Sequence, residues 1–261
     1  MNKPHRPDHR GLGKKFKYAM PEPVFEILRR LYNFLLRLVP YGIKYGIGTS
    51  LRRKKYPYSL VRDGDVLVQV GAPRDILLAG RSRAIHFARL VGSGKVVIVE
   101  ADPENCKMLR RFIKRYGLEG QALIVESGVW KNEGELVFMS SPLHPAANVL
   151  VDAREIPEEI KNDRQYEKIY IKVNTLDNIL AEAGIEEPPR IVSLTTNGAE
   201  LEIMAGMPDT LAKGVPYISL ASTGEGYEEG MKPYGYRFIA FDDRGYTFAK
   251  DTAAAVTSTI A

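Results

Sequence analysis

DVLVQVGAPRDILLAGRSRAIHFARLVGSGKVVIVEAD, residues 65–102, decides the fold. Residues 65–70 are an apolar strand running into Gly71. Residues 82–91 read as a helix, with Ile85, Ala88 and Leu90 among its apolar positions. Residues 95–100 are a second apolar strand that ends on Glu100. Strand, glycine turn, helix and strand make the opening βαβ unit of a doubly wound sheet that binds a nucleotide or cofactor.

The pattern continues outward. Over 103–116, Cys106, Leu109, Phe112 and Ile113 repeat at helical spacing and Gly117 follows as a stop. A third strand is expected over 121–125, giving the order three-two-one with right-handed crossovers. The alternation then changes. A short extra strand is expected over 135–139, after Asn132-Glu133-Gly134. Residues 140–149 are loop-like around Pro142 and Pro145, and the charged stretch 154–166 reads as an exposed helix or loop. Further on, 168–173, 190–194 and 216–220 read as strands. A helix over 175–183 has Thr175 or Asn174 near its N-cap, and a shorter one over 200–207 is stopped by Pro208. Residues 236–241 and 246–248 face each other across Asp242-Asp243-Arg244-Gly245, a hairpin. The fold class is therefore α/β: a Rossmann-like, mostly parallel sheet closed by a terminal antiparallel hairpin. The chain divides into a basic extension over 1–60, a body over 61–250 and a small, uncharged tail over 251–261.

The formal net charge of +5 conceals an asymmetry. Residues 1–60 hold fourteen Lys/Arg against three Asp/Glu, a net of +11, which leaves −6 for the remainder. A mildly acidic body argues against a duplex-binding face, so no specific nucleic-acid partner is expected. The single cysteine, Cys106, excludes an intrachain disulfide. No apolar run spans a bilayer and the N-terminus is polar and proline-broken, which points to the cytoplasm.

Residues 1–20 read as a solvated basic tail. His5 and His9 are four apart, but without a helix to align them no metal site is expected. Residues 21–39, PEPVFEILRRLYNFLLRLV, read as an amphipathic helix. Lys44, Arg52, Arg53, Lys54 and Lys55 follow. Two readings compete: an interfacial helix making peripheral contact with anionic lipid through residues 21–55, or a helix packed on the body or on a second subunit.

The turn after the first strand narrows the ligand. It carries Gly71 and then no glycine until Gly80, so it is neither a phosphate-binding loop nor a G-x-G-x-x-G dinucleotide turn. An adenosine ligand without phosphate needs one close backbone approach, at Gly71, and a carboxylate for both ribose hydroxyls. Glu100 is placed for that task, the alternative being an acid that merely begins a solvated loop. S-adenosylmethionine is such a ligand.

Five segments resemble the FkbM family of S-adenosylmethionine-dependent methyltransferases. Val68-Gln69-Val70-Gly71-Ala72 is similar to the family's VDVGAN. Val99-Glu100-Ala101-Asp102-Pro103-Glu104-Asn105 is similar to its FEPDPEN. Ser127-Gly128-Val129-Trp130 with Gly134-Glu135 resembles AAVSDKEGE, and Val173 to Asp177 resembles V-x-TLDD. Gly198 to Gly206 is close to EGAELEVLKG. The resemblance implies a seven-stranded methyltransferase sheet, S-adenosylmethionine as cofactor, and O-methylation of a sugar or other small-molecule acceptor. It implies cofactor contacts at Gln69, Gly71, Ala72, Glu100, Ala101, Glu126, Ser127 and Gly128. Thr195, Asn197 and Glu200 would lie near the acceptor.

The chain departs from the family pattern where carboxylates are usual. Gln69 replaces an acid, and Thr195-Thr196-Asn197 stands where the family has D-V-E. Pro73 and Asp75 replace an asparagine and a glycine, in a loop that carries Arg74, Arg81 and Arg83. Neutral side chains accept hydrogen bonds but do not serve as bases. His144 and Glu126 are candidate substitutes. The leading expectation is a methyltransferase acting on a hydroxyl of a glycan, lipid headgroup or small molecule. Its rival is a catalytically silent module that binds a partner, membrane or anionic ligand through the basic arm and the arginine loop. A nucleotide-sugar binder is a third reading.

Overall fold

The computed structural model describes positions 24, 27, 28, 31, 34 and 35 and residues 38–72, 83–140, 149–151, 167–196, 198–221, 226–243 and 245–251. Its first half runs α1 (Tyr41–Arg52), β1 (Val66–Val70), α2 (Arg83–Leu90), β2 (Lys95–Glu100), α3 (Pro103–Arg115) and β3 (Ala122–Glu126). Then come β4 (Gly128–Val129), β5 (Gly134–Ser140), β6 (Val149–Val151) and β7 (Glu167–Asn174). The last part is α4 (Leu176–Glu182), β8 (Ile191–Leu194), α5 (Glu200–Ala205), α6 (Pro208–Ala212), β9 (Tyr217–Leu220), α7 (Tyr227–Met231), β10 (Tyr236–Phe241) and β11 (Tyr246–Lys250).

Seven strands form the main sheet in the order β10-β11-β9-β8-β1-β2-β3. From β9 to β3 neighbours are parallel, and β11 is antiparallel to both β9 and β10. The three-two-one order and the terminal hairpin agree with the sequence pattern. The strands are apolar runs because both faces of the sheet are covered. Val68, Val70, Val99, Val192 and Leu194 pack on one face with α4 and α5 residues such as Leu176 and Ile203. Leu67, Val96, Ile98 and Ile191 pack on the other with Ile85 and Phe87 of α2 and Ile113 of α3. Each such fully buried aliphatic side chain contributes about 1.5–3 kcal/mol.

Tyr45 of α1 and Tyr58 belong to the second core, so buried packing reaches upstream of residue 61. Thr49 Oγ1 lies 2.9 Å from Nδ1 of the buried His86, which ties α1 to α2. Tyr58 stacks at a tilt on Phe87, 5.4 Å between ring centres.

Strands β4 to β7 form a second sheet, ordered β4-β7-β5-β6, between β3 and β8 in the chain. The pattern at 135–139 and 168–173 marks β5 and β7. Nothing in it marks β4 or β6, which have two and three residues. Gly128 lets β4 lie close against β7 within this sheet: a Cβ there would come within 2.6 Å of Val173 Cγ1. α5 ends at Ala205, short of Pro208 as expected, and Pro208 also starts α6 at its first position, where a missing N–H costs nothing. The Asp177 carboxylate completes that start by accepting from the backbone N–H groups of Asp209 and Thr210, both at 2.8 Å.

Candidate functional site

The carboxyl ends of β1, β2 and β8 converge on Gly71. Its φ of +73° lies in the left-handed region, and a Cβ would come 2.5 Å from the Thr195 carbonyl oxygen. Glycine is therefore required both by conformation and by the approach of β8.

Glu100 ends β2 and is only 5% exposed. Its Oε2 accepts the Ala72 N–H at 2.6 Å; its Oε1 accepts the Asp102 N–H at 2.9 Å and Asn105 Nδ2 at 3.3 Å. This carboxylate fastens the turn after β1 to the start of α3, where Asp102 caps the helix by accepting from Glu104 N–H at 2.8 Å. A carboxylate offers about four acceptor positions, so three protein donors leave one, on Oε2. Burial raises its pKa, opposed by the backbone N–H groups of Asp102 and Ala72. Ala101 follows at the strand end, half-buried.

Gln69, where the family pattern has an acid, is buried and turned to β8. Its Nε2 donates to the carbonyls of Val70 and Gly71, at 2.9 and 2.7 Å, and to Thr195 Oγ1 at 2.8 Å. Thr195 Oγ1 in turn faces the Val70 carbonyl at 3.0 Å and the Gly71 carbonyl more closely still. The amide and the hydroxyl thus close the gap between β1 and β8. Gln69 Oε1 has no hydrogen-bond partner among the described residues.

Glu200, the first residue of α5, is fully buried. Its Oε2 accepts Gly198 N–H at 3.1 Å and the Tyr227 hydroxyl at 2.8 Å. Its Oε1 is unpartnered among the described residues. Burial raises its pKa above the usual carboxylate range, partly offset by backbone N–H groups and Tyr227. Tyr227, on a helix of only five residues, left no periodic trace in the sequence.

The remaining expected contacts are dispersed. Ser127 N–H donates to the Glu100 carbonyl at 3.1 Å, holding Ser127-Gly128 beside the β2 end. Glu126 instead points outward and pairs with Arg110 of α3 at 2.9 Å. Asn197, His144, Arg74, Arg81, His5, His9 and both tails lie outside the described residues.

Arg83 requires a correction. It was expected among arginines free to bind a partner or an anionic ligand. It is 3% exposed, and both of its terminal nitrogens are committed inside the protein, while Nε has no partner among the described residues. Its guanidinium donates to Ser193 and Ser219 hydroxyls at 3.0 and 2.6 Å, and to Asp242 and Asp243 at 2.9 and 2.6 Å. Burial works against its charge, but the two carboxylates outweigh burial and raise its pKa. Gln69, Ser193, Ser219 and Thr247 are register partners across β1, β8, β9 and β11, so they form one polar row on the α2 face. Asp242 Oδ2 accepts from Ser219 and Thr247 at 2.7 and 2.8 Å. The signal for this network was the polar residue interrupting each of four apolar strands.

The strand order, the turn at Gly71 and the acid at the β2 end are joined by a family match. A model of the methyltransferase FkbM domain matches residues 69–248. The chain belongs to the FkbM methyltransferase family. Among solved structures, the FkbM methyltransferase of Methylobacillus flagellatus is similar at 16% identity and a TM-score of 0.46. The match covers 76% of this chain and 47% of that one, so the chain spans about half its length. An O-methyltransferase from Bacillus cereus, in complex with SAH, is similar at 13% identity and a TM-score of 0.38, covering 88% of this chain and 92% of that one. No curated protein sequence matches.

Proposed function

We propose that this protein is an S-adenosylmethionine-dependent methyltransferase that methylates a hydroxyl oxygen of a sugar, lipid headgroup or small molecule. The observation that carries this reading is Glu200: a buried carboxylate at the start of α5, after β8, with Oε1 unpartnered among the described residues and its pKa raised. The residues present suit the cofactor. Gly71 gives a bare backbone turn, Glu100 Oε2 retains one acceptor position for a ribose hydroxyl, and the unpartnered Gln69 Oε1 can accept from an amino group. When bound, the cofactor supplies an electrophilic methyl group on a sulfonium.

The chain's own residues then orient and deprotonate the acceptor. Thr195 is no base, because its hydroxyl is bound to the carbonyls of the turn. Glu200 is the base. Tyr227 and Gly198 N–H hold Oε2, so Oε1 is the oxygen that takes the hydroxyl proton. A pKa raised by burial suits a group that accepts a proton during transfer. Because Glu200 is fully buried, acceptor binding has to open a path to Oε1.

Calorimetric titration with S-adenosylhomocysteine tests the cofactor half. Binding is expected, and Glu100→Ala weakens it about tenfold or more by removing a charge-assisted hydrogen bond. Glu200→Gln lowers kcat by about 10²–10⁴-fold while leaving that binding intact. Absence of binding favours a second reading, a methyltransferase-like module without catalysis. The Gln69–Thr195 bond, which puts neutral groups in place of two carboxylates, is the observation that favours it.

A further inference from the structure

We infer that α1 and the helical residues before it form a docking surface for an anionic membrane. α1 has two faces. Tyr45 and Thr49 are buried against α2, whereas Ile43, Ile47 and Leu51, one turn apart, are 52%, 57% and 67% exposed. An apolar stripe of this kind on a packed helix serves a contact outside the body. It continues upstream: Ile27, Leu31, Phe34 and Leu38 are helical and more than half exposed.

Charge identifies the occupant. The stripe ends at exposed Arg53, Lys54 and Lys55, and residues 1–60 carry a net +11. A second copy of the chain would bring two such segments together and is disfavoured by their repulsion. An anionic bilayer surface takes both features at once, the isoleucines and leucines entering the headgroup boundary and the basic side chains meeting the lipid charge. Among the described residues no helix is long and apolar enough to cross a membrane, so the contact is a lateral one. This inference is independent of the methyl-transfer reading.

Co-sedimentation of the full chain with phosphatidylcholine vesicles, with and without phosphatidylserine, tests it. Binding is expected to require phosphatidylserine and to fall at high salt. Replacing Arg53, Lys54 and Lys55 together by Gln weakens it roughly a hundredfold, since each basic side chain near such a surface contributes about a factor of five. The triple variant Ile43→Ser, Ile47→Ser, Leu51→Ser abolishes it with an unchanged thermal midpoint, because all three are exposed. No binding, binding indifferent to phosphatidylserine, or a dimer in light scattering that the triple serine variant dissociates overturns the inference.

Discussion

Arg83 is a buried cation whose cost depends on its neighbours. Its two carboxylate partners, two serine partners and near-complete burial make it a cation that the interior tolerates only while every partner is present. Arg83→Met removes the buried cation facing Asp242 and Asp243, and an unfolding free energy lower by about 3–5 kcal/mol is expected in urea. A change under about 0.5 kcal/mol, the usual result at an exposed site, would show that the network is dispensable. Glu200 gives a pH signature. Its folded pKa is raised, so the folded chain keeps this proton to higher pH than the unfolded chain. The stability tied to it is complete below the ordinary carboxylate value and is lost as pH rises through the raised one. Glu200→Gln, which does not titrate, should therefore gain stability relative to the parent as pH climbs from acid toward neutral. Parallel urea midpoints across that range would refute the shift. Gly71 and Glu100 were legible in the sequence because a strand, a turn and a second strand fix their places locally. The Arg83 network was not. Ser193, Ser219 and Thr247 are small polar residues whose meaning exists only in the register of strands remote in sequence.

At the level of elements the same division holds. The β1–α2–β2–α3–β3 run was readable because each piece has its own periodicity and its own stop or cap. The four-stranded sheet was not, since β4 and β6 are too short to have a period and derive their order from β7 and β5. Pro208 showed only half of its role in the sequence: the end of α5 was legible, whereas its start of α6 is completed by the Asp177 carboxylate, thirty-odd residues back. The junction of β1 with β8 is the element contact on which the site depends. Gly71→Ala would drive a methyl against the Thr195 carbonyl and impose a left-handed φ on alanine. It is expected to cost about 1–3 kcal/mol and to displace the Gln69–Thr195 bond. Thermal melts and the amide resonances of Thr195 and Ala72 report this. An unperturbed spectrum would mean that β8 yields freely.

The whole molecule is polar in the electrostatic sense, a basic leading segment on an acidic body, and described residues far apart in the chain meet. The Tyr58 hydroxyl donates to Asp243 at 2.9 Å, across 185 positions of chain, and Arg52 approaches the same carboxylate at 3.7 Å. A version ending at residue 235 lacks the hairpin, and with it the carboxylates that compensate Arg83. It should fail to give a cooperative unfolding transition, while a version ending at residue 251 unfolds in one step. On the ribosome this arrangement sets an order of events. Arg83 emerges 160 residues before Asp243, so the nascent chain bears an uncompensated interior cation until the hairpin is made. The hairpin, last of the described strands to be made, acts as a clasp: β10 and β11 have to emerge before this sheet can commit to its native state.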